Sequence, residues 1–161
     1  MILITGGVKS GKSTLALELA LKIPKPRVFV ATSVPFDSEM RSKIKRHRTE
    51  RGNGFILHEE PTEISALIEK AKANVVLIDC VTTWVGNLMH YGKNTNLYFA
   101  NLLDSLKGNE ILVTNEVGHG IIPENPLARD YLNLLGNINK SLAKRADEVY
   151  LMVSGIKVKI K

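Results

Sequence analysis

The sequence predicts a single α/β domain over residues 1–161, with a mostly parallel central sheet between two layers of helices. Three observations support this fold class. Short apolar segments rich in Val, Ile and Leu recur along the chain without strict alternation, which is typical of strands covered on both faces. Segments with apolar residues at helical spacing separate them, so right-handed βαβ units are expected. A glycine-rich loop joins the first apolar segment to the first helical one.

The individual elements follow from these patterns in chain order. The predicted strands are residues 1–5, 27–32, 75–79, 110–114 and 149–153. The predicted helices are residues 13–22, 64–71 and 127–146. Pro24 and Pro26 end the first of these helices, and Thr62 is the expected N-cap of the second. Residues 91–96 read YGKNTN and are predicted to form an exposed loop.

Residues 6–13 read GGVKSGKS and match the phosphate-binding pattern G-x-x-x-x-G-K-[ST], the P-loop. A loop between a strand and a helix start directs backbone N–H groups at a polyphosphate, and Gly6 and Gly11 allow the close approach. Lys12 is expected to reach the β- and γ-phosphates, and the Ser13 hydroxyl to ligate Mg²⁺. The loop also contains Gly7, Val8, Lys9 and Ser10. The pattern predicts a P-loop NTPase-like three-layer fold that binds GTP or ATP.

A carboxylate follows the apolar run VVLI, at Asp79. A P-loop enzyme needs such a group at a strand end to hold the magnesium shell, which makes Asp79 a candidate metal ligand. The alternative is that Asp79 only precedes and caps a helix. Thr82 or Thr83 is the expected N-cap of that helix if Asp79 serves the metal.

Composition excludes several classes of protein. No apolar run approaches the ~20 residues of a membrane helix, and the start of the chain does not have the form of a signal peptide. Cys80 is the only cysteine, which excludes an intrachain disulfide and favours a cytoplasmic location. The formal charge of +6 suits an anionic ligand, whereas an aromatic content of 6% offers little for stacking on nucleic-acid bases. We therefore expect neither membrane insertion nor nucleic-acid binding.

A basic segment over residues 31–51 reads ATSVPFDSEMRSKIKRHRTER. Met40, Ile44, His47 and Arg51 fall at spacings of four, three and four, so they would share one face of a helix. His47 is then either a solvated surface histidine or a nucleophile. In the second case, surrounding cations would keep the imidazole neutral and attract phosphate oxygens. The residue pattern alone leaves both interpretations open.

Five segments in one order resemble a known family: ITGGVKSGKS, the basic segment above, IDCVTTWVGNL, VTNEVGHGIIPENPLAR and VSGIKVKIK. The chain resembles the bifunctional adenosylcobinamide kinase / adenosylcobinamide-phosphate guanylyltransferase family of cobalamin synthesis. The patterns E-M-x-x-K-I-x-x-H-x-x-x-R and T-N-E-V-G-x-G-I-I-P-E-N are more specific than the P-loop. The resemblance covers most of the chain, although residues 91–108 are shorter and more polar than the family pattern.

The resemblance implies two activities. ATP or GTP would phosphorylate adenosylcobinamide, and GTP would donate GMP to adenosylcobinamide phosphate to give adenosylcobinamide-GDP. In this family the histidine at the position of His47 becomes guanylylated, with Lys12 and Mg²⁺ as further catalytic groups. A P-loop small-molecule kinase without guanylyltransferase activity is the alternative. The family also implies a ring of identical subunits, here expected as a homotrimer.

The resemblance further implies contacts with the guanine nucleotide or its metal. The residues at the matching positions are Thr32, Ser33, Arg48, Arg51, Glu59 and Asp79. Glu59 alternatively belongs to a solvated turn before Pro61. The N-K-x-D motif of regulatory GTPases is absent from the sequence, so a guanine preference must have another source. Residues 117–120 are either part of a corrinoid pocket or a simple turn between a strand and a helix.

Overall fold

The computed structural model describes residues 1–34 and 54–161. These residues form seven strands and five helices. The strands are β1 (Ile2–Gly6), β2 (Arg27–Ala31), β3 (Ile56–Glu59), β4 (Val75–Asp79), β5 (Glu110–Val113), β6 (Glu148–Val153) and β7 (Ile156–Lys159). The helices are α1 (Lys12–Leu21), α2 (Ile64–Lys70), α3 (Val81–His90), α4 (Thr95–Ser105) and α5 (Pro126–Arg145). Among the helices of these residues, none combines the length and apolar character needed to cross a bilayer.

The strands form one sheet in the order β3-β2-β4-β5-β1-β6-β7. Every neighbouring pair is parallel except β6 and β7, which form an antiparallel hairpin at one end of the sheet. The predicted mostly parallel sheet is therefore confirmed. Because parallel strands end at the same edge, the segments that follow β1 to β6 meet there, and this edge is where ligands bind in open α/β sheets.

The sheet is buried on both faces, which explains the continuous apolar strands. Alternate residues of a strand point to opposite faces, so Leu3 and Ile4 of β1 enter different cores. Leu3 joins the core built with α2, α3, α4 and α5, in which Trp84 is fully buried. Ile4 joins the core built with α1. The three-layer arrangement predicted from the sequence is thus confirmed, with α1 alone on its face among the described helices.

Three elements were missed by the sequence analysis. β3 is a four-residue edge strand with two exposed apolar residues, and β7 has only four residues, so neither gives a buried-strand pattern. Helix α4 begins at Thr95, inside the segment predicted as an exposed loop, so that prediction was wrong beyond Asn94. The Asn94 side chain caps this helix by accepting from the Leu97 N–H at 3.1 Å.

Two predicted helix caps were also wrong. Glu63 rather than Thr62 is the N-cap of α2, and the Glu60 carboxylate accepts from the N–H groups of both Thr62 and Glu63. Cys80 rather than Thr82 or Thr83 is the N-cap of α3, because its sulfur accepts from the Thr83 N–H at 3.4 Å. Sequence patterns favour hydroxyl caps, whereas here the Cys80 sulfur caps α3 and no side-chain hydrogen bond caps α2.

Candidate active site

The loop between β1 and α1 has the backbone that its glycines predict. Gly6 has φ 145°, and a Cβ there would lie 2.4 Å from the carbonyl oxygen of Met152 in β6. Gly11 has φ 95° and is the N-cap of α1. Both positions need a residue without a side chain, because a Cβ would clash with β6 or strain the turn. The loop therefore passes close against the end of β6.

Two carbonyl groups of this loop accept hydrogen bonds from other segments of the protein. Gly6 O accepts from the Glu116 N–H at 3.0 Å, and Ser10 O accepts from the Gly155 N–H at 3.0 Å. No side chain caps the N-terminus of α1, since Gly11 has none. The first N–H groups of a helix lack intrahelical partners, and here they face the sheet edge at which ligands bind. The loop is thus built to bind an anion.

Lys12 lies over the loop that precedes it. Its side chain is 7% exposed, and its ammonium group donates to Gly7 O at 2.5 Å and to Ser10 Oγ at 3.4 Å. Gly7, Val8 and Lys9 form the exposed crest of the loop. A phosphate bound inside this loop would meet backbone N–H groups on one side and the Lys12 charge on the other. The phosphate contact expected of Lys12 from the sequence stays a prediction, and the position of its side chain over the loop is compatible with it.

Ser13 and Asp79 are the candidate magnesium ligands, and both side chains carry oxygen atoms of the kind that Mg²⁺ binds. Ser13 is half-buried in the first turn of α1, and Asp79 is half-buried at the end of β4. The described residues contain no group of three or more His, Cys, Asp or Glu side chains that would hold a metal by themselves. Mg²⁺ commonly uses one or two protein oxygens and completes its shell with phosphate and water. The donor set present therefore fits Mg²⁺.

The end of β2 is tied to the end of β4 through Thr32. Thr32 is fully buried, and its hydroxyl donates to Cys80 O and accepts from the Cys80 N–H, both at 2.8 Å. Its own N–H donates to Asp79 O at 3.2 Å. The Thr32 side chain therefore fixes the backbone that carries Asp79, and the half-buried Ser33 next to it lies nearer the surface.

Glu59 ends β3 at the same edge of the sheet. It pairs with Ala31, which pairs on its other side with Asp79, so the two carboxylates end strands separated by β2. Glu59 is exposed at this edge. Arg48, Arg51 and His47 lie outside the described residues. The chain leaves the described part after Val34, just past the end of β2.

Two side chains of α3 that the sequence analysis did not assign to the site hold the loops around it. Asn87 is buried, and its amide donates to Thr32 O at 2.8 Å and to Pro61 O at 3.0 Å. The indole of Trp84 donates to Thr62 O at 2.7 Å. Helix α3 thereby fixes the segments that follow β2 and β3. The only sequence signal was their place in the segment IDCVTTWVGNL.

A buried polar network supports the segment after β5. Thr114 Oγ1 donates to Asn139 Oδ1 at 2.7 Å and lies 3.2 Å from Thr82 Oγ1. Thr82 Oγ1 accepts from the Asn115 N–H at 2.6 Å, and Asn139 donates to Asn115 O at 3.0 Å. Three distant elements thus hold the backbone that leads to Glu116. Sequence reasoning named Thr82 only as a candidate helix cap and did not single out Asn139, because the partners of both lie far away in the chain.

Two ionisable groups beside the site are neutral at physiological pH. Burial raises the pKa of the Cys80 thiol, and the neighbouring Asp79 charge raises it further. Burial also raises the pKa of Tyr131 to about 12, and the Tyr131 hydroxyl donates to Thr82 O at 3.0 Å. A thiol with a raised pKa is a poor nucleophile, so Cys80 serves here as a cap and a packing residue.

A family model described as cobinamide kinase / cobinamide phosphate guanyltransferase matches residues 2–160. The chain belongs to this family. The bifunctional adenosylcobalamin biosynthesis protein CobU of Escherichia coli K12 is 39% identical over 182 aligned positions, covering 100% of this chain and 99% of that protein. The corresponding protein CobP of Pseudomonas aeruginosa is 33% identical, covering 99% of this chain and 96% of that protein.

Membership of the cobinamide kinase / cobinamide phosphate guanyltransferase family confirms the resemblance noted in the sequence. The chain is an enzyme that combines kinase and nucleotidyltransferase chemistry, and GTP and ATP fit this family as substrates. Among solved structures, the flagellar accessory protein FlaH of Methanocaldococcus jannaschii matches with a TM-score of 0.52 and 14% identity. That match covers 99% of this chain and 77% of FlaH, and it supports the fold alone.

Proposed function

We propose that this chain phosphorylates adenosylcobinamide with ATP or GTP, and then transfers GMP from GTP to adenosylcobinamide phosphate through a guanylylated His47. The observation that carries the proposal is the P-loop described above, in a chain whose family has this pair of activities. The buried Lys12 lies over the P-loop, and the N-terminus of α1 that follows this loop has no side-chain cap. Asp79 ends a strand at the same edge.

In the kinase reaction the loop holds the triphosphate while the γ-phosphoryl group moves to the hydroxyl oxygen of adenosylcobinamide. The bond between the γ-phosphorus and the bridging oxygen breaks, ADP or GDP leaves with that oxygen, and the hydroxyl proton passes to solvent. Lys12 and the N–H groups of the loop offset the charge that develops on the phosphate oxygens. Ser13 and Asp79 would hold Mg²⁺, which supplies further charge neutralisation at the phosphates.

In the guanylyltransferase reaction an imidazole nitrogen of His47 attacks the α-phosphorus of GTP. The bond to the β-phosphate breaks, and pyrophosphate leaves with charge offset by Lys12, Arg48 and Arg51. A phosphate oxygen of adenosylcobinamide phosphate then attacks the same phosphorus and breaks the P–N bond. His47 is regenerated and adenosylcobinamide-GDP is formed, so that one transfer is divided into two easier steps.

The position of the strand ends supports the proposed nucleotide contacts. Ser33 follows β2 and Glu59 ends β3, at the edge that also carries Asp79. Glu59 offers a carboxylate that accepts hydrogen bonds from a base or a ribose. Thr32 contributes by holding this edge together, since its hydroxyl is engaged with Cys80. We further propose a cytoplasmic location and a homotrimer.

The test uses the full chain with Mg²⁺ and GTP labelled at the α- or the γ-phosphorus, without an acceptor. We expect an acid-labile, alkali-stable α-label on the wild type and none on His47→Ala. His119→Ala is the matched control, because His119 is an exposed histidine of the described residues and should label normally. Absence of α-label on the wild type, with γ-label still reaching adenosylcobinamide, would establish a kinase without guanylyltransferase activity.

A further inference from the structure

A cavity of about 410 Å³ lies beside the P-loop, between the first turns of α1 and the turn that joins β6 to β7. Its floor contains Leu15 and Met152, which are both buried. Gly11 and Gly155 lie where the loop meets the turn, and the Gly155 N–H donates to Ser10 O at 3.0 Å. This hydrogen bond holds the hairpin turn against the loop.

We propose that this cavity binds the purine base of the nucleoside triphosphate whose γ-phosphate is transferred. The inference rests on the proposed function, because it assigns a base position to one of the two proposed reactions. The pocket that reads the base in the kinase reaction would then be formed by α1 and the β6–β7 hairpin. Glu59 and Ser33, on the other side of the P-loop, would serve GMP transfer.

The position of the cavity follows the course of the phosphate chain. A triphosphate in a P-loop lies along the backbone N–H groups that lead into the first turn of the helix. Gly11 and Thr14 belong to this stretch, and both line the cavity. A nucleoside that leaves the loop beside Thr14 therefore enters the cavity, with its γ-phosphate held near Lys12.

The size and the apolar floor of the cavity suit a purine. Pockets that bind small molecules have volumes of about 300–1,000 Å³ and are lined mainly by apolar groups, with a few polar groups that fix orientation. The volume of about 410 Å³ lies within this range, and Leu15 and Met152 provide the apolar surface. A Cβ at Gly11 would lie 3.3 Å from the Met152 methyl group, so glycine leaves more room where the loop meets the cavity.

Two charged side chains of opposite sign line the cavity, Glu18 on α1 and Lys157 on β7. Both are exposed. Guanine presents O6 and N7 as acceptors and an N2 amino group as a donor, so an ammonium group and a carboxylate complement it. Adenine offers N7 to the ammonium and N6 to the carboxylate, but its N1 is an acceptor and repels a carboxylate. Glu18 is therefore the specificity-determining residue, and it favours guanine over adenine.

A second base position explains how one P-loop presents two phosphorus atoms. In the sheet, β1 lies between β5 and β6, so the hairpin cavity and the end of β2 flank the P-loop on opposite sides. A nucleotide with its base in the cavity holds its γ-phosphate in the loop. A nucleotide with its base beside Ser33 and Glu59 would instead hold its α-phosphate on the β2 side of the P-loop.

The test compares the two reactions in Lys157→Ala and Glu18→Gln. Their matched controls are Lys159→Ala, two residues further along β7, and Glu69→Gln, an exposed carboxylate on α2. Two rates are measured on the full chain: phosphorylation of adenosylcobinamide over a range of ATP or GTP concentrations, and α-labelling of the protein by GTP without an acceptor.

We expect the KM for GTP in the phosphorylation reaction to rise about tenfold in both variants, as for one lost charge-assisted hydrogen bond. Glu18→Gln should also move the ratio of kcat/KM for GTP over ATP about tenfold toward ATP, which a merely structural role would not do. α-Labelling should be unchanged, and both controls should behave as the wild type.

An unchanged KM in both variants, or an equal loss in both reactions, would overturn the second base position. A wild type that takes no α-label would instead overturn the guanylyltransferase proposal. In that case the phosphorylation data would still test the cavity, so the two failures are distinguishable.

Discussion

At the scale of single residues, the neighbours Gly6 and Gly7 differ in whether they tolerate a side chain. A Cβ on Gly6 would lie 2.4 Å from Met152 O on a backbone with φ 145°, whereas a Cβ on Gly7 would meet nothing within 4 Å. One methyl group therefore has very different consequences at adjacent positions. The reason is that Gly6 still belongs to β1 and pairs with β6, while Gly7 lies on the exposed crest.

We expect Gly6→Ala to lower the free energy of unfolding by on the order of 3 kcal/mol, from backbone strain and the clash with β6. Gly7→Ala should change it by less than about 0.5 kcal/mol. Urea unfolding of both variants measures the difference. Equal stabilities would show that β6 moves away from the loop at no cost.

Lys12 is the cation that we propose contacts the phosphates in the P-loop. Lys12→Met keeps most of the buried bulk but removes the ammonium group, so both transfer reactions should slow by about 10²–10³-fold in kcat. Steady-state rates measure this, with thermal unfolding as a check that the variant is folded. Lys22→Met, at an exposed position just after α1, is the control. Rates of Lys12→Met within about threefold of wild type would contradict this role.

The burial of Cys80 should change the pH dependence of its alkylation. Its pKa lies above the ordinary value of 9.0, so the folded protein favours the neutral thiol. The corresponding stabilisation is fully present below pH 9.0 and is lost as the pH rises through the folded pKa. We expect alkylation of the folded protein by iodoacetamide to rise at a higher pH than alkylation in urea. An earlier rise in the folded protein would indicate an activated thiolate.

At the scale of elements, helix α3 organises the loops of the site. Its N-cap is Cys80, directly after Asp79, and its Trp84 and Asn87 bind the backbone after β3 and β2. The helix therefore fixes three successive strand ends with respect to one another. An enzyme that transfers phosphoryl groups gains from this rigidity, because small displacements of the groups that bind phosphate cost rate.

Asn87→Ala should lower the free energy of unfolding by on the order of 2–4 kcal/mol, because a buried carbonyl oxygen of Thr32 and a partly buried one of Pro61 lose their donor. The KM for nucleotide should also rise, since Thr32 and the segment around Pro61 lose their support. Asn101→Ala, at an exposed position on α4, is the control and should stay within about 0.5 kcal/mol of wild type. An Asn87→Ala variant with the free energy of unfolding of the wild type would mean that water replaces the amide.

The elements also show where sequence patterns stop being informative. The five predicted strands were confirmed because each crosses a sheet buried on both faces and therefore reads as a continuous apolar run. β3 and β7 end the sheet on its two sides, so their side chains are partly exposed and the pattern is lost. Helix α4 follows its Asn94 cap directly, and the polar residues of that cap were taken for a longer loop.

At the scale of the whole molecule, the apolar edge of the sheet is relevant to assembly. Ile156, Val158 and Ile160 alternate with lysines at the β7 edge and are 69%, 45% and 58% exposed. Exposed apolar side chains offer a surface for the homotrimer that we propose, whereas the alternating lysines oppose pairing through the strand backbone. Ile121, at 96% exposure, adds a second apolar feature on the loop before α5.

We expect sedimentation equilibrium to give a mass of about 53 kDa, three times the chain mass of 17.8 kDa, and to keep this value on dilution into the micromolar range. The mass is measured at two salt concentrations as a control, because association through an apolar interface is insensitive to moderate salt. A single species of 17.8 kDa would contradict the trimer.

The sequence by itself determined the P-loop, the alternation of strands and helices and the family. These depend on residues that are close together in the chain, where spacing reports directly on backbone geometry and on the ligand. Only the tertiary structure decided that Thr32 holds the backbone of Asp79, that Asn87 supports two strand ends, and that α1 and the β6–β7 hairpin enclose a cavity. Such contacts join residues far apart in sequence, and they exist only once the sheet order brings those residues to one edge.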